Sequence, residues 1–270
     1  MSAPAVIPYR AVVFLDLDGT LLDDSHRAGD DAHALLRRMR RADVLPVMAT
    51  ARNTWEVRDL LGEEAAATGV VSSGCVVRSR GTVLDLHTVP KETLAALVAQ
   101  ASDLGDDLGF FTEEQYAVTA RSETVLADMQ LLGEAPESVP VDPDLWLREQ
   151  LSYVCVYAHN GDITPYREAF GEALSLTPFS DTAYTGLPAG ASKANGASRL
   201  LRKDPRARHA PTFSFGDERN DCELSELVDV GVAMPGSRPE LLAVANETAP
   251  AAGPAGIEAV LRRHGLLDPL

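Results

Sequence analysis

Cysteine is scarce in this 270-residue sequence. The three cysteines, Cys75, Cys155 and Cys222, are widely spaced, and no two of them form a CxxC pair. Structural zinc sites and disulfide-stabilised small domains need cysteines in closely spaced pairs or larger sets. The sequence therefore predicts reduced and mostly buried thiols, and it argues against both a zinc site and a disulfide framework.

Basic residues are also few. Lys and Arg total 24 against 40 Asp and Glu, which gives a formal net charge of -16. Such a charge repels the phosphates of nucleic acids and anionic lipids, so we expect neither a nucleic acid nor a membrane surface as a partner. A phosphorylated small molecule could bind only where a cation or a few basic side chains neutralise the pocket.

Long apolar runs are missing as well. No stretch reaches the length that crosses a bilayer, and the opening residues MSAPAVIPYR lack the basic segment and apolar core of a signal peptide. We therefore expect a cytoplasmic protein. Its length allows one large domain or two moderate ones, while its oligomeric state is not evident from the sequence.

The most informative stretch is AVVFLDLDGTLLDD, at positions 11–24. Five residues that suit a buried parallel strand run directly into Asp16, Leu17, Asp18, Gly19 and Thr20. Two carboxylates at this spacing, at the end of such a strand, would project into the crevice where open α/β sheets bind ligands. The alternative is a strand followed by an acidic turn, because Asp and Gly are common turn residues.

Strands and helices alternate at both ends of the chain. Strands are predicted at 44–49, 69–73, 211–215 and 230–233, and helices at 28–41, 53–61, 192–201, 221–228, 239–245 and 257–263. This alternation is typical of a parallel α/β sheet. In the middle, by contrast, strands are predicted at 81–87, 151–158 and 182–185 and as a hairpin over 110–119, with helices at 90–104 and 165–174. We therefore predict an α/β fold with a Rossmann-like core in two parts, 1–79 and 188–270, and an inserted α+β domain at 80–187.

Polar side chains cluster where predicted strands end or helices begin. They form four groups: Asp16, Asp18 and Thr20; Thr50 and Arg52; Lys193; and Asp217, Asn220 and Asp221. The carboxyl ends of parallel strands meet at one edge of the sheet, so these groups can converge. Several carboxylates there would repel one another unless a hard cation lay among them, and Mg²⁺ prefers such oxygen ligands.

Four motifs in this order resemble those of the haloacid dehalogenase (HAD) superfamily: DLDGT, ATAR, a Lys at a helix start, and GDERND. The stretch FGDERNDCELSELVDVGVAMPGS and the large insertion resemble class IIB, the Cof-like and sugar-phosphate phosphatase branch. The resemblance covers residues 10–75 and 188–265. It implies a Rossmann-like core with an inserted cap domain, and a Mg²⁺-dependent phosphatase that forms an aspartyl-phosphate.

The resemblance also implies roles for the acidic residues. Asp16 would be the nucleophile and a metal ligand, and Asp18 would be the general acid and then the general base. The backbone carbonyl of Asp18 would bind Mg²⁺, Asp217 would be a metal ligand, and Asp221 would orient the metal or its water. A neighbouring like charge makes a raised pKa plausible for Asp18.

For the phosphate, the resemblance implies that Thr50 hydrogen-bonds the phosphoryl oxygens and that Lys193 neutralises their charge. Asn220 would contact the phosphate or its ester oxygen, and Arg52 is a further candidate. Simple structural roles remain open for some of these residues. Asp221 could be a favourable charge at a helix start, Arg52 a surface residue of a helix, and Lys193 a solvated residue after a capping serine.

Two positions depart from the family pattern. Ala51 stands where the second motif usually has Gly, which is tolerated unless the backbone φ there is positive. Ser73-Gly74-Cys75 replaces the Asn-Gly-Ala that often follows the third strand, so a contact from that Asn side chain would be lost.

In the inserted domain only the architecture resembles that of the family, and no sequence motif is recognised. It is expected to exclude water and to select the leaving group, with Glu113, Tyr116 and Arg121 as candidates only by their loop context. The aromatic residues at 110–111, 153 and 157 are expected to belong to its own core. None of the six histidines lies in a metal or nucleophile pattern.

The leading hypothesis is a Mg²⁺-dependent phosphatase for a small phosphorylated metabolite, namely a sugar, amino-sugar or polyol phosphate. A phosphosugar mutase on the same core is the main alternative. A dehalogenase would need neither Asp18 nor a metal, and a sugar-phosphate sensor without catalysis would not need the second Asp of the DLDGT motif.

Overall fold

The computed structural model describes residues 6–131 and 135–268. The chain divides into two compact units: a core unit up to Asp85 and from Ser192 onward, and an inserted unit over Leu86–Ala191. The boundaries predicted from the sequence are 79/80 and 187/188. The first lies later because the strand Thr82–Leu86 belongs to the large sheet, and the second because the strand Ala183–Pro188 belongs to the smaller sheet.

The strands, in chain order, are β1 (Ala11–Leu15), β2 (Val44–Ala49), β3 (Gly69–Val71), β4 (Val76–Ser79), β5 (Thr82–Leu86), β6 (Asp107–Phe111), β7 (Tyr116–Val118), β8 (Tyr153–Tyr157), β9 (Leu174–Pro178), β10 (Ala183–Pro188), β11 (Thr212–Gly216), β12 (Val230–Ala233) and β13 (Glu247–Thr248). The helices are α1 (Asp30–Arg41), α2 (Thr54–Leu61), α3 (Glu63–Ala66), α4 (Lys91–Leu104), α5 (Glu123–Leu131), α6 (Leu145–Arg148), α7 (Thr164–Phe170), α8 (Lys193–Lys203), α9 (Cys222–Leu227), α10 (Pro239–Val244) and α11 (Gly253–Arg263). No helix of the described residues combines the length and apolar character that a bilayer span needs.

The core unit is built on one eight-stranded sheet with the order β13-β12-β11-β1-β2-β3-β4-β5. All pairs from β13 to β3 are parallel, and β4 runs antiparallel to β3. This sheet confirms the predicted α/β fold class. The strands β4 and β13 were not predicted, because they are four and two residues long and too short to show a clear period.

Side chains along β1 point alternately to the two faces of the sheet, and both faces are buried. Val12 and Phe14 lie in one apolar cluster with Ala197 and Leu200 of α8 and Leu224 of α9. Neighbouring strand residues point to the opposite face. The whole strand is buried, as a parallel strand covered on both faces requires.

The inserted unit contains an antiparallel sheet with the order β7-β6-β8-β10-β9. The hairpin predicted around 113–115 is present as the β6–β7 pair. The helix predicted over 165–174 ends instead at Phe170, and Leu174–Pro178 forms β9, because pairing with β10 outweighs local helix preference there. The sequence analysis did not predict α5.

The aromatic residues of the inserted unit divide between two environments. Phe110 is fully buried in the unit's apolar core. Phe111 stacks on Tyr153, with ring centroids 4.4 Å apart, and on Tyr116 at 5.5 Å.

Arg121 donates hydrogen bonds from Nε and Nη2 to two backbone carbonyls of its own unit, at 2.7 and 3.2 Å. These contacts give Arg121 a structural role in its loop.

Candidate active site

The strand register explains how distant segments meet. Leu15 of β1 lies beside Met48 of β2 and beside Phe215 of β11. The residues that follow these three positions therefore leave the sheet at the same edge. Asp16 is the first of them, and its backbone N–H donates to the Phe215 carbonyl at 3.0 Å. Thr50 and Asp217 follow their own strands at this edge.

Three carboxylates gather at this edge. Oxygen atoms of Asp16, Asp217 and Asp221 all lie within 4.8 Å of one another, and Asp16 and Asp221 are buried. The turn after β1 makes room for them, because Gly19 has a φ of +72° and a Cβ atom there would lie 2.6 Å from the Asp217 carboxyl carbon. Only glycine allows both the left-handed backbone and this close approach.

Lys193 lies between two of these acids. Its Nζ atom is 2.8 Å from Asp16 Oδ1 and 2.7 Å from Asp221 Oδ1, and only 2% of its side chain is exposed. Ser192 caps helix α8 by accepting from the Asn195 N–H. The idea that Lys193 is a solvated first-turn residue is therefore wrong, because the two carboxylates draw the ammonium group into the interior.

Burial and charge shift the pKa values of this cluster. Burial raises the pKa of Asp16 to about 7, although the neighbouring Lys193 opposes the change. Burial alone lowers the pKa of Lys193, but the charges of Asp16 and Asp221 outweigh it, so the pKa is raised. Burial also raises the pKa of Asp217, while the Thr20 hydroxyl, which donates to it at 3.1 Å, lowers it. The cluster therefore favours bound protons or cations.

Asp221 does more than place a charge at a helix start. Its Oδ1 atom accepts from Lys193, while Oδ2 accepts from the backbone N–H groups of Asp217 and Glu218 at 3.1 and 3.2 Å. One carboxylate thus fixes both the turn after β11 and the ammonium group. The small exposure of Asp221, 3%, makes these bonds strong, because water competes little.

The Asp18 carboxylate binds a different partner set. Arg52 donates from Nε to Oδ2 at 2.8 Å and from Nη2 to Oδ1 at 2.7 Å, and His26 Nδ1 lies 2.7 Å from Oδ1. Burial would raise the pKa of Asp18, but the hydrogen bonds and charges of Arg52 and His26 hold it below its ordinary value. The expectation of a raised pKa is therefore wrong for this structure, because the Arg52 guanidinium and the His26 imidazole both hydrogen-bond to the Asp18 carboxylate.

His26 is the contact that the sequence analysis missed. The loop before it is organised by Asp23, whose Oδ1 atom accepts from the N–H groups of Ser25 and Arg27 at 2.8 and 3.0 Å. His26 itself has a left-handed backbone, with φ of +57°. A turn-forming Asp before Ser was visible in the sequence. The direction in which this turn points the imidazole was not.

The remaining candidates lie near the same strand ends with different exposure. Thr50 is buried, and its hydroxyl accepts from the Arg52 N–H at 3.1 Å. Asn220 is exposed in the turn Arg219–Asp221 that separates Asp217 from Asp221. Ala51 is not among the residues with a positive φ, so the replacement of the family glycine causes no backbone strain.

Replacing Arg52 by Gln should weaken the effect of pH on stability. The folded pKa of Asp18 lies below its ordinary 3.8, so its ion pair stabilises the fold above that pH and loses this effect as the pH falls through the folded value. Arg52→Gln removes the cation, so its loss of stability on acidification should be smaller than that of the wild type. Thermal unfolding across the acidic range measures this. Arg37→Gln, an exposed change on α1, is the control, and identical pH curves for Arg52→Gln and the wild type would contradict the role of Arg52.

The charges and donor atoms of this acidic cluster suit a divalent cation. Three carboxylates face one ammonium group, which leaves a formal excess of two negative charges among groups that are largely buried. The donors are all oxygen atoms, which hard cations such as Mg²⁺ prefer over nitrogen and sulfur. Asp16 and Asp217 are therefore suited to hold such an ion, with Asp221 beside them to orient it or its water.

Comparisons with known proteins identify the family and the fold. A family model described as haloacid dehalogenase-like hydrolase matches residues 13–261. A Citrobacter koseri protein named HMP-PP phosphatase is 26% identical over 234 residues, covering 84% of this chain and 85% of that protein. The crystal structure of a hypothetical protein from Geobacillus kaustophilus HTA426 has a TM-score of 0.84 at 26% identity, covering 96% of this chain and 100% of that one. The structure of BT4131, described as a HAD subclass IIB sugar phosphatase, has a TM-score of 0.68 at 19% identity and covers 96% of this chain and 100% of that one, a likeness of fold.

Proposed function

We propose that this chain, which belongs to the haloacid dehalogenase-like hydrolase family, is a Mg²⁺-dependent phosphatase that hydrolyses a small phosphorylated metabolite through an aspartyl-phosphate on Asp16. The observation that carries the proposal is the buried cluster in which Lys193 bridges Asp16 and Asp221 beside Asp217. The name of the Citrobacter relative supports phosphatase chemistry. A sugar, amino-sugar or polyol phosphate is the proposed substrate class. A cytoplasmic location and the absence of a nucleic-acid partner stay predictions.

In the first step, an Asp16 carboxylate oxygen attacks the phosphorus atom. An oxygen–phosphorus bond to Asp16 forms as the bond from phosphorus to the substrate's alcohol oxygen breaks, and Asp18 gives a proton to that oxygen. Asp18 must be protonated for this, whereas Arg52 and His26 stabilise its anion. We infer that substrate phosphate draws Arg52 away from Asp18, because the phosphate competes for the same guanidinium.

In the second step, the Asp18 carboxylate takes a proton from a water molecule. The water oxygen attacks the phosphorus of the aspartyl-phosphate, the bond to Asp16 breaks, and inorganic phosphate leaves. Asp18 regains its proton and Asp16 its carboxylate, so the cycle closes without any other reactant.

The other residues serve the phosphoryl group. Lys193 neutralises charge on its oxygens, Thr50 donates a hydroxyl hydrogen bond, and Arg52 and Asn220 contact it from more exposed positions. Asp16, Asp217 and the backbone carbonyl of Asp18 would hold the ion, and Asp221 would orient it or its water. When bound, Mg²⁺ supplies positive charge that favours the ionised form of Asp16 and offsets the charge of the phosphate.

Phosphate release from a panel of sugar, amino-sugar and polyol phosphates tests this proposal. Activity should appear with Mg²⁺, vanish when EDTA removes the metal, and return when Mg²⁺ is added in excess. Asp217→Asn should need more Mg²⁺ for half-maximal activity, because it removes one charged ligand. Hydrolysis that is indifferent to EDTA would overturn the metal assignment. Turnover that requires a bisphosphate activator would instead favour a mutase.

A further inference from the structure

The segment after β3 has an unusual backbone. Ser72, Ser73 and Gly74 have successive φ values of +50°, +54° and +89°. Left-handed conformations are unfavourable for residues with a Cβ and persist only where the surroundings enforce them. Here Ser72 and Ser73 donate their backbone N–H groups to the carbonyls of Arg52 and Thr50, at 2.8 and 3.0 Å. The backbone carbonyls of Thr50 and Arg52 therefore hold this segment in place.

Gly74, the last residue of this segment, lies directly against the start of helix α8. A Cβ atom on Gly74 would collide with the Ser192 carbonyl, lying 2.6 Å from its carbon, and would lie 3.3 Å from the Lys193 nitrogen. Real Cβ atoms essentially never approach other heavy atoms closer than 3.0 Å. The close approach is therefore one of backbone to backbone, and it occurs at the residue before Lys193.

A second glycine continues this contact one turn further along the helix. A Cβ atom on Gly196 would collide with Val70 of β3 and would lie 2.9 Å from the Gly74 Cα. Arg199, on the same helix, donates from Nη2 to the Gly74 carbonyl. Gly74 and Gly196 thus form a seam, which we call the glycine seam, along which α8 rests on the end of β3.

We propose that the glycine seam is a positioning device that sets Lys193 between Asp16 and Asp221. Lys193 is the first residue of α8, so a shift of this helix moves its backbone directly. Its ammonium group bridges carboxylates at 2.8 and 2.7 Å, and a displacement of about 1 Å in a catalytic group can cost roughly 100-fold in rate. The kinetic consequence rests on the proposed function, whereas the placement of Lys193 does not.

Gly74→Ala tests the seam against a matched control. Gly81, in the turn between β4 and β5, also has a left-handed φ of +79°, but nothing lies within 4 Å of a Cβ atom there. Both substitutions add left-handed strain, while only Gly74→Ala pushes on Ser192. We expect kcat to fall about 10- to 100-fold in Gly74→Ala and to change less than about 2-fold in Gly81→Ala.

A double-mutant cycle asks whether Gly74 acts through Lys193. In a Lys193→Met chain, adding Gly74→Ala should lower kcat by less than about 3-fold, because the group that the seam positions is already gone. If the kcat losses of Gly74→Ala and Lys193→Met multiply in the double variant, Gly74 does not act through Lys193 and the proposal is overturned.

A spectroscopic readout separates this proposal from the enzyme's activity. The chain has three lysines, Lys91, Lys193 and Lys203. In protein labelled with [¹⁵N]lysine, the Lys193 ammonium signal is identified by its loss in Lys193→Met. It should shift in Gly74→Ala and stay in place in Gly81→Ala. An unmoved signal in Gly74→Ala overturns the seam, whereas a shift in a protein that hydrolyses no phosphate ester supports the seam and overturns the proposed function.

Should Gly74→Ala fail to fold, Gly196→Ala provides the second variant. It adds a collision with Val70 from the helix side of the seam. The same two readouts apply, and adding Val70→Ala should restore part of the lost kcat by removing the nearest colliding atom. A kcat equal to that of the wild type, together with an unmoved Lys193 signal, in Gly196→Ala would contradict the proposal.

Discussion

Asp16→Asn is expected to lower kcat by roughly 10⁴-fold or more, because the variant has no carboxylate oxygen to attack phosphorus. The amide keeps the shape of the side chain, and Lys193 keeps its bond to Asp221. The fold should therefore survive, as circular dichroism and thermal unfolding would show. Asp24→Asn, an exposed change in the following loop, should keep wild-type activity. Substantial Mg²⁺-dependent turnover by Asp16→Asn would contradict the role of Asp16 as nucleophile.

The same variant has a pH signature. In the metal-free protein, burial raises the pKa of Asp16 from 3.8 to about 7, so the folded state favours the protonated acid. The stability that this group contributes is fully present below 3.8 and is lost as the pH rises through about 7. Asp16→Asn cannot ionise, so its unfolding free energy should fall less over this range than that of the wild type. Parallel curves for the two proteins would contradict the effect of burial on Asp16.

Lys193→Met is expected to have the second largest effect, on both activity and stability. The change leaves Asp16 and Asp221 buried without their cation, and such broken buried pairs typically cost about 3–5 kcal/mol. Loss of one charge that stabilises the transferring phosphoryl group should lower kcat by about 10²–10³-fold. Urea unfolding and steady-state kinetics measure the two losses.

A control for Lys193 lies on the same helix. Lys203 forms an exposed ion pair with Asp85 at the end of α8, and its replacement by Met should change stability by less than about 1 kcal/mol and leave kcat unchanged. Added Mg²⁺ should restore part of the stability of Lys193→Met by neutralising the same carboxylates. If Lys193→Met were as stable and active as Lys203→Met, the buried bridge would not matter for this protein.

The core of the site could be predicted because its first acidic residues, Asp16 and Asp217, directly follow buried parallel strands. The apolar run before Asp16 and the one before Gly216 predict buried parallel strands, and parallel strands end at one edge. The family model over residues 13–261 confirms the resemblance that the motifs indicated. The convergence of the first and last acidic motifs thus follows from local pattern and sheet geometry.

Side-chain direction was harder to predict. The pairing of Asp18 with Arg52 and His26 depends on rotamers and on a left-handed residue in the loop, which no periodicity encodes. Lys193 begins helix α8, which meets the segment after β3 at Gly74 and Gly196, and these two segments are far apart in sequence. In the inserted unit, the strand β9 was not predicted, and its first residue, Leu174, was assigned to the helix 165–174, because β9 forms by pairing with the distant strand β10.

The most direct test of the central claim is mass spectrometry of the Asp18→Asn variant, quenched in acid during reaction with p-nitrophenyl phosphate and Mg²⁺. This leaving group needs little protonation, so Asp16 can still be phosphorylated, while the amide that replaces the Asp18 carboxylate cannot activate the water that releases the phosphoryl group. We expect the peptide containing Asp16 to gain the mass of one phosphoryl group, and the same peptide of a variant that also carries Asp16→Asn to gain none. Turnover of this substrate with no phosphoryl group on the Asp16 peptide would rule out Asp16 as the nucleophile.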